Sequence, residues 1–281
     1  MATFQIDTSF LDSIKSLIEQ GNNALLIKKL KPIHYADIAE IIETLSIEEA
    51  TYIIKLLKSK TTADALTEVD PDTREQILDN LSINEIAREV SELKTDDATD
   101  LILELPEARK EKVMSQIQDD EHVKDIRDLL RYDENTAGGL MHKELVKVNE
   151  NWNVLTCIKQ MRIQAENISR VHSIYVVDEQ DKLLGRLSLK DLLTTSAKTP
   201  ISEVYIRKLN FVKVTTEDVE VARIMQKYDL EAIPVIDELD RLVGRITIDD
   251  IVDVIKEEAD QDYHCLLYTS PSPRDRQKSR M

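Results

Sequence analysis

The stretch IYVVDEQDKLLGRLSLKDLL (174–193) lies over IPVIDELDRLVGRITIDDIV (233–252) without a gap, at an offset of 59 residues. Nine of the twenty positions are identical, and they include the Asp-Glu pair, the glycine, the arginine after it and the late aspartate. Identity at that spacing marks two copies of one structural unit. Upstream, VKVNENWNVLTCIKQM (146–161) matches VKVTTEDVEVARIMQK (212–227) at an offset of 66, so the first copy is longer in its middle, around AENISR. Each copy reads as an extended VKV, a helix, an apolar strand, a turn at Asp-Glu, a second strand through Gly-Arg and a closing helix. The region is a β-α-β-β-α unit occurring twice.

The sequence before the repeat has a different texture. From about Leu25 to Leu130 strand alternation is almost absent, and short helical periods follow one another, each behind a start signal. Ser46-Ile-Glu-Glu49 and Ser82-Ile-Asn-Glu85 are capping boxes, in which hydroxyl and carboxylate satisfy free amides at a helix start. Asp70 before Pro71 is an N-cap with proline at the first helical position. ADIAEIIETL, EEATYIIKLL, REQILDNL, NEIAREVSEL and DDATDLILEL each read as an amphipathic helix of two to three turns. Helices this short cannot bury their apolar faces alone, so they are expected to stack as an α-solenoid that presents a surface to a partner.

Between the two regions stands YDENTAGGLM (132–141), with two of the five glycines of the 281-residue chain side by side. Two glycines permit both the positive φ values of a hinge and a backbone approach close enough for a carbonyl to reach a shared cation. A helix C-cap before a strand needs only one.

Composition narrows the function. Fifty-four acidic residues against 37 basic ones give a net charge of −17, which repels nucleic acid and anionic membranes and favours cations or basic surfaces as partners. Two cysteines, Cys157 and Cys265, indicate no disulfide framework and fit a reducing compartment. Neither a signal peptide nor an apolar run of membrane-spanning length is visible. The five histidines, at 34, 122, 142, 172 and 264, make no recognised ligand spacing, and P-loop, G-x-S-x-G and G-x-G-x-x-G motifs are absent. No enzyme reading has residues to stand on. His172 and Cys157 fall beside apolar positions and read as core.

The carboxylates do cluster. Asp96, Asp97 and Asp100 open one helix of the first region, with 96 and 100 one turn apart on one face. The closing helix of the second copy carries Asp249, Asp250, Asp253, Glu257 and Glu258 against the single lysine Lys256. Glu217, Asp218 and Glu220 open its first helix, and Asp229 follows that helix. Acids near a helix N-terminus favour the macrodipole, and for any one of these groups that account competes with a functional one. Helix stability by itself would call for more interleaved lysine. Two carboxylates ~8 Å apart repel by ~0.5 kcal/mol in water and ~2 kcal/mol at an effective dielectric near 20. Facing acidic surfaces would therefore stay apart until a divalent cation joined them. Mg²⁺ keeps several waters and needs few protein oxygens, so such sites can be loose enough to empty when the ion falls.

The h-x-G-h-h-(S/T)-x-x-D signature, present as Gly185, Ser188, Asp191 and again as Gly244, Thr247, Asp250, resembles the cystathionine β-synthase (CBS) domain. A layer of short helices, then Y-x-x-x-x-A-G-G-L-M, then a CBS pair ending in DDIVDVIKEEADQDYH together resemble the cytoplasmic part of the MgtE family of bacterial magnesium transporters, over about 25–264. The resemblance implies a multidomain chain: a helix or extension over 1–24, an all-α, solenoid-like N domain over 25–131, a hinge over 132–139, then an α/β tandem CBS pair at 140–199 and 200–262. It implies a non-enzymatic Mg²⁺ sensor at the cytoplasmic face of the bacterial cell membrane, homodimeric through its CBS domains, with the transporter's own membrane-spanning domain as partner. The fragment itself would be soluble. Carried over residue by residue, the implied metal contacts are Asp64, Asp96, Asp100, the Gly139 carbonyl, Glu217, Asp229, Asp250, Asp253 and Glu258; Val219 and Gln261 stand where the family has acids. The CBS signature further implies ATP or another adenosine nucleotide as an alternative ligand, through Ser188, Lys190, Asp191, Thr247 and Asp250. CLLYTSPSPRDRQKSRM (265–281) departs from the family pattern and reads as an appended or read-through tail.

Overall fold

A computed structural model describes residues 6–269 apart from 58, 59, 167, 169 and 172; in the last helix side chains are described as far as Ala259, except that of Glu257. His172, expected in the core, lies outside the described residues, as does 270–281. The chain forms two compact units, Met1–Arg131 and Tyr132–Met281.

The first unit contains helices α1 (Thr8–Glu19), α2 (Asn23–Leu30), α3 (Tyr35–Thr44), α4 (Ile47–Leu57), α5 (Lys60–Glu68), α6 (Pro71–Asp79), α7 (Ile83–Glu92), α8 (Thr95–Leu103), α9 (Glu107–Met114) and α10 (Asp120–Leu129). The start signals act as their chemistry predicts. Ser82 accepts from the Glu85 amide at 3.3 Å while the Glu85 carboxylate accepts from the Ser82 amide at 2.7 Å. Ser46 and Glu49 make the same reciprocal pair, and the Asp70 carboxylate caps α6 through the Asp72 amide.

Stacking supplies what the short helices lack. α3 packs on α5, α5 on α7 and α7 on α9, while α4 packs on α6, so alternate helices build two layers around one continuous core. Ile41, Ile53, Leu66, Ile77, Ile86 and Ile102 are fully buried there, each contributing ~1.5–3 kcal/mol by leaving water. Basic side chains tie successive layers at helix ends. Arg74 donates to the carbonyls of Leu66, Thr67 and Val69 and pairs with Glu104, which satisfies acceptors left open where α5 ends. Arg109 does the same for Leu81 and pairs with Asp79. The solenoid-like N-terminal fold expected from the sequence is present.

The second unit carries the repeat. Copy one is β1 (Val146–Asn149), α12 (Val154–Ala165), β2 (Ile174–Val177), β3 (Leu183–Leu187) and α13 (Leu189–Thr194). Copy two is β4 (Val212–Lys213), α14 (Asp218–Lys227), β5 (Ala232–Ile236), β6 (Leu242–Thr247) and α15 (Ile248–Thr269). In both, the first strand runs parallel to the second and the second antiparallel to the third. The Asp-Glu turns follow one design. Asp178 accepts from the amides of Gln180 and Lys182, and Asp237 from those of Leu239 and Arg241. Asp181 (φ 61°) and Asp240 (φ 63°) take the left-handed conformation that closes each turn, which Asp tolerates better than most residues.

A pseudo-twofold relation joins the copies. Leu183 donates to the Asp240 carbonyl at 3.0 Å and Leu242 to the Asp181 carbonyl at 2.9 Å. The segments leading into the copies are exchanged: His142, ahead of copy one, pairs with Arg245 on β6, and Ile206, ahead of copy two, pairs with Arg186 on β3. The signature glycines permit these crossings. A Cβ at Gly185 would stand 2.4 Å from the Ile206 carbonyl oxygen, and one at Gly244 2.6 Å from Met141 Sδ. Cys157 is buried in the core of copy one, and burial pushes its thiol up to about 11.

One expectation is corrected here. Gly138 and Gly139 do not act through positive φ; they sit in a short helical turn, α11 (Ala137–Leu140), capped by Thr136. That turn is bonded into copy two, with Ala137 donating to Thr216 and Gly138 to Val214. What both positions require is the missing Cβ, which at Gly138 would meet the Tyr132 ring at 2.6 Å and at Gly139 the Asp133 carbonyl at 2.5 Å. The stretch expected as a hinge over 132–139 is thus a built part of the second unit. α15 runs past His264 to Thr269, since CLLYT contains no helix breaker and proline arrives only at 271.

Candidate cation site

In the first unit the expected ligands gather at the start of α8. Asp64, on α5, is half-buried, and that burial raises its carboxyl above the usual range against the pull of Lys60 and Lys94; Glu92 and His34 also bear on it. Lys94 is the N-cap of α8 through its backbone, with no side-chain bond to the helix amides, and Asp96 and Asp97 follow in the first turn, where the helix dipole favours them. Asp100 is exposed one turn later. Both histidines of this unit have structural work: His34 caps α3 by accepting from Ala36, and His122 Nε2 lies 3.2 Å from the Val90 carbonyl.

In the second unit the Gly139 turn and Glu217 are brought together, since Thr136 pairs with Glu217 and Asp218 donates to the Asn135 carbonyl. Glu217 is the exposed N-cap of α14, with no side-chain cap bond. Asp229, just beyond α14, is exposed at φ 49°. On α15, Asp250 accepts from the Thr247 amide at 2.7 Å and the Thr247 hydroxyl at 3.0 Å, both on Oδ2. Asp253 pairs with Lys256 at 2.8 Å, and Glu258 is exposed. These are hard oxygen donors of the kind that Mg²⁺ takes, so the residues fit the ion.

The residues expected for a nucleotide lie at corresponding ends of the two copies. Ser188 caps α13 by accepting from Lys190 at 3.1 Å, Asp191 follows in the first turn, and Lys190 is exposed. Thr247 and Asp250 hold the matching place in copy two. A shallow cleft of about 400 Å³ lined by Phe211, Arg223, Lys227 and Tyr228 contains none of the expected ligands.

Sequence reasoning missed a buried polar cluster beside Asp250. Arg245 is 4% exposed and donates to the Arg170 carbonyl at 3.3 Å. Burial lowers its pKa, against the pull of Tyr175, Glu144, Asp250 and Asp249. Tyr175 is 1% exposed, and burial pushes its phenol up to about 12 although both Arg245 and Arg186 draw it down. His142 is 1% exposed, with Nδ1 3.5 Å from the Glu144 carboxylate. No spacing motif could reveal this cluster, because β-bridge pairing between distant segments assembles it. The one local signal is His142-Lys-Glu144, which places two donors on one face of an extended segment.

The comparisons with known proteins converge on these two units. Residues 33–135 match the MgtE intracellular N domain, and 137–198 and 201–257 each match the CBS domain. The solved cytosolic domain of the Mg²⁺ channel MgtE, in complex with ATP, superposes with a TM-score of 0.81 at 31% identity, covering 87% of this chain and 99% of that one. The chain belongs to the MgtE family. The soluble part of a magnesium transporter superposes with a TM-score of 0.77 at 27% identity, over 89% of this chain and 98% of the other. The magnesium transporter MgtE of Thermus thermophilus is 43% identical over 138 residues, 49% of this chain and 31% of its own length. That of Enterococcus faecalis is 36% identical over 137 residues, 30% of its own length. The match thus spans about a third of these MgtE relatives. The first unit is the MgtE N domain and the second its CBS pair. Among the described residues no helix is long and apolar enough to cross a membrane.

Proposed function

We propose that this chain is the Mg²⁺-sensing cytoplasmic module of a magnesium transporter, without enzymatic activity of its own, which favours a closed pore when Mg²⁺ is high. The observation that carries this reading is the gathering of carboxylates near helix ends in each unit: Asp96, Asp97 and Asp100 on α8, and Glu217, Asp229, Asp250 and Asp253 around copy two. Mg²⁺ held between the two sets, with Asp64, the Gly139 carbonyl and Glu258 contributing, would turn repulsion into attraction and join N domain to CBS pair. At low Mg²⁺ the like charges would separate them again. The module would work as a homodimer through its CBS domains, beside a membrane-spanning domain on the cytoplasmic side of the cell membrane. Limited proteolysis and small-angle scattering with and without millimolar Mg²⁺ test the idea. Protection and compaction are expected in the wild type and neither in an Asp96→Asn, Asp100→Asn double variant; a wild type indifferent to Mg²⁺ removes its basis.

A second reading, favoured by the ATP complex of the 31% identical relative, is an adenosine-nucleotide module. Ser188, Lys190 and Asp191 in copy one, or Thr247 and Asp250 in copy two, would receive ribose and phosphate. Calorimetry with ATP and AMP decides it: heat lost on Asp191→Ala or Asp250→Ala but kept on Asp100→Asn supports nucleotide binding.

A further inference from the structure

The cleft of about 400 Å³ in copy two has a chemistry of its own. α14 contributes Arg223, Ile224 and Lys227, which recur at the spacing of one helix face, and the stretch leading into β4 contributes Leu209 and Phe211. Of the described phenylalanine, tyrosine and tryptophan side chains only Phe211, at 50%, and Tyr228, at 51%, stand exposed, and both line this cleft. An aromatic ring left half in water forgoes the burial such side chains ordinarily gain, and a flat ligand ring laid against it restores that burial. Leu209 and Ile224, both partly buried, extend the apolar surface.

The charges point the same way. Arg223 and Lys227 against Glu220 leave the lining at +1, in a chain whose net charge is −17. Lys227 makes no ion pair among the described residues, although acids outnumber bases 54 to 37, and its ammonium stands 5.2 Å from the centre of the Tyr228 ring. Arg223 meets Glu220 through Nη1 alone, which leaves the rest of its planar fork for a second acceptor. The two cations are one helical turn apart on the same face. A monoanion would neutralise the lining, whereas a phosphate dianion would overshoot it and meet Glu220.

We infer that this cleft binds a small aromatic carboxylate, with its ring against Phe211 and Tyr228 and its carboxylate held by Lys227 and Arg223. The size suits such a ligand: small-molecule sites run from ~300 to ~1,000 Å³ and combine apolar walls with a few convergent polar groups. The ligand would lie along α14, which Glu217 caps and beyond which Asp229 follows. The inference goes beyond the Mg²⁺ reading and does not rest on it.

Calorimetry and saturation-transfer NMR on the full chain, with naphthoate as the probe, test the site. The wild type should bind naphthoate saturably, and should bind naphthamide, which lacks the charge, and acetate, which lacks the ring, about tenfold more weakly or worse. Phe211→Ala and Lys227→Gln, both at exposed positions, should each weaken naphthoate binding about fivefold or more with circular dichroism unchanged. Lys208→Gln removes an exposed base that does not line the cleft, and should keep wild-type affinity. Equal binding of naphthamide, an equal loss in Lys208→Gln, or no saturable binding at millimolar naphthoate overturns the site. So does binding lost on Asp191→Ala or Asp250→Ala but kept on Phe211→Ala, which would move the probe to the nucleotide positions. Mg²⁺-dependent proteolytic protection is a separate readout: its absence beside Lys227-dependent naphthoate binding would sink the Mg²⁺-sensing reading and leave this cleft standing.

Discussion

Arg186 and Arg245 occupy the same position in the two copies of the repeat, each one residue after the signature glycine and each paired to the segment exchanged from the other side of the pseudo-twofold. Arg186 is exposed, facing Ile206; Arg245 is buried, facing His142, Glu144, Asp249 and Asp250. The shared residues, namely the Asp turn, the glycine and the strand arginine, therefore specify a scaffold, and the residues that differ decide which copy carries charge chemistry. Their closing helices diverge likewise: α13 has 6 residues, α15 has 22.

That asymmetry can be broken most forcefully at the arginines. Arg245→Met should cost ~3 kcal/mol in urea unfolding, because it removes the buried guanidinium that bonds the Arg170 carbonyl and draws on the part-buried Glu144 and Asp250, whereas Arg186→Met should stay within ~0.5 kcal/mol. Equal losses would mean that burial of Arg245 carries no charge compensation.

The glycines come next. Gly185→Ala drives a Cβ to 2.4 Å from a backbone carbonyl oxygen, which cannot move aside, and should cost ~2–3 kcal/mol. At Gly244 the nearest atom is the flexible Met141 Sδ at 2.6 Å, so Gly244→Ala should cost ~1 kcal/mol. The reverse order would show that the crossing at His142 is the more rigid one.

The turn aspartates sharpen the comparison further. Asp237 accepts from Leu239 and Arg241 amides and pairs with the Arg241 guanidinium at 2.6 Å. Its partial burial raises the pKa, but the Arg241 side chain and these amide bonds outweigh that and hold the carboxyl below its usual 3.8. The folded value is the lower one, so its stabilisation is fully present above pH 3.8 and is lost as pH falls through the folded value. Asp237→Asn should lower stability by ~1 kcal/mol at neutral pH, and the gap from wild type should close on acidification below pH ~3.8. A gap that persists there would assign the effect to turn geometry alone.

The smallest effect is expected at the caps. Thr247→Ala should cost ~1 kcal/mol and Ser188→Ala about half as much, since Thr247 donates to Asp250 as well as starting its helix. Thermal unfolding of the two variants measures the difference.

Much of this was legible without coordinates. The nine identities between copies determined the β-α-β-β-α unit and its duplication, because a repeated pattern of buried strand, Asp turn and glycine has few physical realisations. The capping boxes at Ser46 and Ser82 determined where helices begin, since they are local hydrogen-bond chemistry. Weakly patterned helices were harder to delimit. α9 buries only Val113 and Met114 and fills the rest with charge, so its place comes from stacking on α7. The double glycine does not serve positive φ: sequence shows that a Cβ is missing there, but only the folded chain shows that Tyr132 and the Asp133 carbonyl fill its space. Acidic spacing marks Asp96, Asp100 and Asp250 as candidate ligands. His142, Glu144, Tyr175 and Arg245 were invisible as a group, because a cluster drawn from an exchanged segment and two strands exists only once long-range pairing has closed it.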